Sequence, residues 1–183
     1  MAELSDFSLH LGDSPPPFSL EGTDGRPHSP AEFASSPLLV VAFWCNHCPY
    51  VQAWEGRMIE LGRRFGPRGV SFVLINSNDA TEYPADSFDR MKQRAQEKAY
   101  PFPYVRDESQ DVARAYGALV TPHVFVFDPD RRLVYQGRID DDHQAPDRVK
   151  QHYLESALEA GLAHRAVGPA ETPVLGCSVK WRD

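Results

Sequence analysis

Between Leu38 and Phe65 the hydrophobic period of the chain changes, and the change falls on a pair of cysteines. Leu38–Trp44 (LLVVAFW) is a continuous apolar run, the pattern of a strand buried on both faces. After Cys48 the apolar positions Val51, Trp54, Met58, Leu61 and Phe65 recur at helical steps. They predict an amphipathic helix that Gly66 and Pro67 end. Cys45-Asn46-His47-Cys48 bridges the two. A buried strand that hands over at once to a covering helix is the grammar of an α/β sheet.

That junction suits thiol chemistry. Free backbone N–H groups and the dipole at a helix start favour a thiolate. A thiolate is the nucleophile of disulfide exchange, and a second nearby thiol can resolve the mixed disulfide. Pro49 fits the first helical turn, where its missing N–H would have no partner. Cys45 and Cys48 are therefore the candidate catalytic residues and redox-active disulfide pair, with Cys45 expected to be the exposed, low-pKa thiol. Two other readings stand beside this one. A zinc site commonly needs four ligands, for which only Cys177 and His47 are at hand. A pair of inert buried cysteines sits poorly with the polar Asn46-His47 between them. No metal and no cofactor are expected. Without a flavin or nucleotide motif, electrons must come from another thiol protein or a small thiol.

The remaining elements follow from period and punctuation. Val70–Asn76 predicts a second buried strand, and residues 85–98 a helix with Phe88, Met91 and Ala95 on one face. Asp107 and Gln110 stand at capping-box spacing before a short helix that Gly117 closes. Thr121-Pro122 leads into a strand at His123–Phe127. A turn at Asp128–Arg131 returns the chain as a strand over Leu133–Ile139, in an antiparallel hairpin. Pro146 is expected to open the last long helix, with Val149, Tyr153, Ala157 and Leu158 inward and Gly161 at its end. The expected fold is one α/β domain over 1–183, a central mixed sheet flanked by helices on both faces. Residues 1–18 form an N-terminal arm and 162–183 an irregular tail. The 183 residues suit a single domain.

Charge and hydropathy exclude some partners. The net charge of −7, 26 acidic against 19 basic side chains with no basic cluster, excludes a nucleic-acid partner. The longest apolar run, Leu38–Cys45, is far short of the ~20 residues a membrane helix needs, so no membrane partner is expected. MAELSDFSLHLGD lacks the basic region and apolar stretch of a secretory signal. A cytoplasmic location is expected, where CxxC is more often catalytic or metal-binding than structural.

On FWCNHCPYV, the Thr121-Pro122 step and TPHVFVFDPDRRLVYQGRIDD, the chain resembles the thioredoxin superfamily over nearly its whole length. The resemblance is to the TlpA/ResA-like and AhpC/TSA (redoxin) branch. Within it lies a group of cytoplasmic thioredoxin-like proteins with CNHCPYV and a C-terminal GCxxKW. It implies a thioredoxin-like fold and a thiol-disulfide oxidoreductase with antioxidant activity on protein or small-molecule disulfides, served by a thiol electron donor. It also implies a cis Pro122 as one wall of the substrate groove, with Thr121 offering backbone hydrogen bonds to a bound peptide or thiol. His47 resembles the histidine of oxidising members that favours the thiolate. The GCxxKW likeness makes Cys177 a candidate third redox thiol, with Trp181 as an apolar anchor for the tail.

Departures from the family pattern matter as much. The strand LLVVAFW carries no buried acid beneath the dithiol, so another base or water must take the resolving proton. The residue three before Cys45 is Ala42, and three before Cys48 is Cys45, so the Thr/Ser-x-x-Cys arrangement of peroxiredoxins is missing. A peroxiredoxin-like thiol peroxidase and a non-catalytic thioredoxin-fold binding module are the alternatives. Trp44 either lines the groove or fills the core. His123 either approaches the dithiol or points elsewhere from its strand. Asp140-Asp141-Asp142 with His143 reads as a solvated loop before a helix. Asn76, Asn78 and Asp79 follow a strand end, where α/β folds often carry function.

Overall fold

Nine strands and four helices occur in the computed structural model, which describes residues 3–182. The strands are β1 (Leu20–Gly22), β2 (Pro27–His28), β3 (Leu38–Phe43), β4 (Val70–Asn76), β5 (Tyr104–Arg106), β6 (Val120–Thr121), β7 (His123–Phe127), β8 (Leu133–Gly137) and β9 (Cys177–Ser178). The helices are α1 (Pro49–Phe65), α2 (Phe88–Glu97), α3 (Asp111–Tyr116) and α4 (Tyr153–Leu162). Seven strands form one mixed sheet in the order β2-β1-β5-β4-β3-β7-β8, and β6 pairs with β9 apart from it. β3 lies inside the sheet, parallel to β4 and antiparallel to β7.

Alternation along β3 sorts the core into two layers, because successive strand side chains point to opposite faces. Leu38, Val40, Ala42 and Trp44 meet Val51, Trp54, Met58 and Phe65 of α1, Met91 of α2 and Leu154 of α4. Leu39, Val41 and Phe43 meet Val112, Ala113 and Tyr116 of α3 on the other face. Each large apolar side chain so buried contributes about 1.5–3 kcal/mol, and the run at β3 is buried throughout. The fold is α/β and thioredoxin-like. Polar clamps fix the tilt of α1. The Trp54 indole donates to Asp140 at 2.7 Å, Arg57 donates to Asp140 at 2.6 Å, and Glu55 accepts from Arg94 at 2.8 and 2.9 Å.

Four expectations need correction. Pro146 opens only a short 3-10 turn, Pro146–Arg148, and α4 begins at Tyr153. Backbone N–H groups on either side of that turn bond locally to side chains: Asp142 accepts from Gln144 and Ala145, and Asp141 accepts from Lys150. Asp140 is buried against α1, so this acidic stretch is not simply solvated. Gln110 takes a left-handed backbone at φ 67° and forms no capping box. Asp107 instead reaches forward to the N–H groups of Val112 at 3.5 Å and Ala113 at 3.0 Å. The tail is not wholly irregular, since Val174 bridges to Leu4 and β9 pairs with β6. Among the described residues no helix is long and apolar enough to cross a membrane.

Candidate active site

Three sulfurs converge where β3 gives way to α1. The Cys45 sulfur lies 3.2 Å from Oγ1 of Thr121. The Cys48 sulfur lies 3.3 Å from the Thr121 carbonyl oxygen and 2.8 Å from the Cys177 sulfur. All three are free thiols; Cys45 and Cys48 are buried, and Cys177 is half-buried. Cys177 arrives on β9, where it stands opposite Thr121 in an antiparallel pairing. The Thr121-Pro122 bond is cis, as the resemblance implies.

The helix start selects one thiol. Cys48, not Cys45, is the cap residue immediately before α1. Hydrogen bonding from Cys45 does most to bring Cys48 down to about 5; burial opposes it, and the Cys177 thiol and the Val51 and Cys177 N–H groups assist. Burial, then the hydrogen bond with Cys48 and the Asp86 charge, push Cys45 well above the ordinary thiol range. Burial and Cys48 push Cys177 up to about 12. Cys45 is buried, so the expectation that it is exposed is overturned. The reading took the helix to open at the first cysteine, whereas α1 begins only after the second.

A buried carboxylate completes the site. Asp86 accepts from the Asn46 N–H at 2.6 Å, Asn76 Nδ2 at 3.3 Å and Asn78 Nδ2 at 2.9 Å, and pairs closely with Nδ1 of His47. The His47 ring stacks on Tyr83 with centroids 5.3 Å apart. Asn46 is held in turn by the Ala85 carbonyl at 2.8 Å and the Tyr104 hydroxyl at 3.0 Å. Donor atoms of Cys45, His47 and Asp86 lie within 4.8 Å of one another, a set that spacing alone does not assemble. Asp86 spends its oxygens on four nitrogen donors, which makes it an organiser of the CxxC loop.

Thr121 stands beside the thiols and Pro122 follows it through the cis bond, but the edge of Thr121 is already taken by β9. Trp44 does not line a groove: it is fully buried and its indole donates to the Tyr100 hydroxyl at 3.2 Å. His123 points away from the dithiol, stacking on Phe125 with centroids 4.3 Å apart. Trp181 is exposed under Arg114, and Val174 and Val179 are the buried apolar residues that seat the tail. Asn78 and Asp79 gain a role, since Asn78 accepts from the Lys180 N–H at 2.9 Å and the Asp79 N–H donates to the Lys180 carbonyl at 2.8 Å. Asp86 carried no sequence signal; it lies in the connection before α2, out of register with the dithiol.

A family model described as AhpC/TSA family matches residues 11–136, a span that includes the dithiol and Thr121-Pro122 but not Cys177. The crystal structure of an uncharacterized conserved protein from Geobacillus kaustophilus superposes with a TM-score of 0.90 at 41% identity, over 96% of this chain and 95% of that one. A thiol:disulfide interchange protein of the thioredoxin family from Chlorobium tepidum shares the fold at a TM-score of 0.64 and 20% identity, over 85% of this chain and 99% of that one. Peroxiredoxin-6 of Sus scrofa is 27% identical over 139 residues, covering 68% of this chain and 62% of its own length. The chain thus spans between half and two thirds of the length of the curated relatives it matches.

Proposed function

The chain belongs to the AhpC/TSA family, and from that premise we propose that it is a thiol-disulfide oxidoreductase in which Cys45 and Cys48 cycle between dithiol and disulfide. One observation carries the reading: the Cys48 sulfur stands at the start of α1, 2.8 Å from the Cys177 sulfur, and hydrogen bonding from Cys45 brings its pKa down to about 5, which favours the thiolate. A thiolate beside a second thiol is the reactant of disulfide exchange. Cys48 attacks a disulfide sulfur and releases one half as a thiolate. Cys45 then gives up its proton, attacks the Cys48 sulfur, and releases the second half as the Cys45–Cys48 bond closes. Two electrons pass to the substrate, a protein or small-molecule disulfide, and a thiol donor returns them. A reducing compartment such as the cytoplasm would keep the dithiol supplied.

Dithiothreitol-driven insulin reduction tests this. Turnover is expected in the native protein and lost in Cys48→Ser, and peptide mapping after one equivalent of glutathione disulfide is expected to recover Cys45 joined to Cys48. Turnover that survives in Cys48→Ser, or Cys45 and Cys48 both still free after oxidation, would falsify the reading.

Peroxide reduction is the second reading, favoured by the likeness to peroxiredoxin-6 and by the acidic Cys48. Against it, the nearest threonine hydroxyl lies on Cys45, at 3.2 Å. Stopped-flow oxidation of Cys48 by hydrogen peroxide is expected at the rate of an ordinary thiolate. A far faster reaction would make peroxide the substrate.

A further inference from the structure

We propose that the carboxy-terminal segment is a built-in substrate strand, and that Cys177 is the thiol through which external disulfides reach the buried Cys45–Cys48 pair. The inference rests on the dithiol cycle proposed above and says where that cycle meets the outside.

Geometry supplies the argument. An extended peptide that docks beside Thr121 would add a strand to that edge, with main-chain pairing fixing its register. β9 already holds that position, with Thr121 opposite Cys177 and Val120 opposite Ser178. This register sets the Cys177 sulfur 2.8 Å from the Cys48 sulfur, where a substrate cysteine would have to lie. The segment is secured on both sides of Cys177. Upstream, Leu4 and Val174 exchange backbone hydrogen bonds at 3.1 and 2.8 Å. Downstream, Lys180 is held by Asn78, by Asp79 and by Gln110, whose Nε2 donates to its carbonyl at 2.8 Å. Gly176 permits the approach: a Cβ there would lie 2.2 Å from the Thr121 carbonyl oxygen. An incoming disulfide therefore meets the half-buried Cys177 before it meets the buried Cys48.

The steps balance. Cys177 gives its proton to water as it attacks a disulfide RS–SR′, forming Cys177–SR′; the leaving RS⁻ takes a proton from water as RSH, and the Cys48 thiolate is kept for the next step. The Cys48 thiolate attacks the Cys177 sulfur, R′S⁻ leaves, and a Cys48–Cys177 bond forms. Cys45 attacks Cys48, its proton goes to the departing Cys177 sulfur, and the Cys45–Cys48 bond closes. The external disulfide has gained two electrons and Cys177 is again a thiol.

Glutathione disulfide is the probe, with peptide mapping and quenched-flow rates as readouts on the full chain. Native protein is expected to end with Cys45 joined to Cys48, and Cys45→Ser to stop with Cys48 joined to Cys177. Cys177→Ser is expected to oxidise its dithiol at least about tenfold more slowly, since the buried thiolate then has no accessible relay. Gly176→Ala keeps all three thiols should Cys177→Ser fail to fold; it should displace β9, slow oxidation likewise and speed alkylation of Cys48 by iodoacetamide. Unchanged rates in both variants overturn the relay, as does glutathione on Cys48 beside a free Cys177 in Cys45→Ser. If native protein forms no Cys45–Cys48 bond at all, the dithiol cycle fails and not merely the relay.

Discussion

Asp86 supplies from a connection what the strand beneath the dithiol lacks. Its carboxylate raises the Cys45 thiol by charge repulsion, after burial and the Cys48 hydrogen bond. Asp86→Asn should therefore bring the Cys45 titration to lower pH, while leaving buried N–H donors facing an amide. Each unpaired buried donor costs about 1–3 kcal/mol, so a drop in urea midpoint should accompany the shift. Ultraviolet thiolate absorbance against pH reads the first effect; an unmoved second titration step would show that Asp86 does not act on Cys45. The same measurement should find the first thiolate forming near pH 5 in the native protein, and Cys48→Ser should abolish it. If Cys45→Ser abolishes it instead, the roles revert to those the sequence suggested. CNHC was legible in the sequence as a dithiol at a helix start. Which sulfur the helix serves turns on one residue of backbone geometry, and Asp86 enters only through the tertiary fold.

Elements that carry a long apolar signature appear where their pattern puts them. β4 spans Val70–Asn76 and β7 spans His123–Phe127, both as read from the apolar runs. β1, β2, β5, β6 and β9 have two or three residues each, too few for a period, and apart from the local β1–β2 pairing their partners lie far away in sequence. α3 lies between these cases. Gly117 ends it in the left-handed region at φ 63°, as expected, but its start is set by Asp107 from outside the helix. That carboxylate also accepts from Ser77 Oγ at 2.7 Å and is fully buried. Asp107→Ala should cost about 2–4 kcal/mol in urea unfolding, the loss of a cap plus the exposure of buried donors. Asp107→Asn, which keeps an acceptor, should recover part of it. A cost below about 1 kcal/mol would mean that packing of Val112 and Tyr116, rather than the cap, fixes the helix.

Arm and tail meet across the molecule, Leu4 against Val174, and the arm also brings Phe7 to the ring of His123, with centroids 5.4 Å apart. The tail's docking beside the dithiol rests on a pairing of only four residues, those of β6 and β9, which no hydrophobic period could specify. The enclosure has a consequence for stability against pH. His123 is fully buried, its Nδ1 accepts only the Leu119 N–H at 3.4 Å, and its Nε2 has no partner. Burial lowers its pKa to about 3. The unfolded chain takes up this proton near pH ~6.5 while the folded protein refuses it until about 3, so stability falls as pH falls through that window. The slope from one such group is at most ~1.4 kcal/mol per pH unit. Cys48 acts in the same direction between about 5 and the ordinary thiol value of ~8.5, since only the unfolded chain holds its proton there. Cys45 and Cys177 act oppositely above ~8.5, where the folded protein retains protons that the unfolded chain has lost. Urea unfolding at a series of pH values should therefore show greatest stability near pH ~8 and a steep decline below ~6.5. His123→Phe keeps a ring between Phe7 and Phe125 and removes the titration. It should flatten the decline between about pH 6.5 and 4 by the slope of one proton, whereas an unchanged slope would assign the acid sensitivity to the carboxylates.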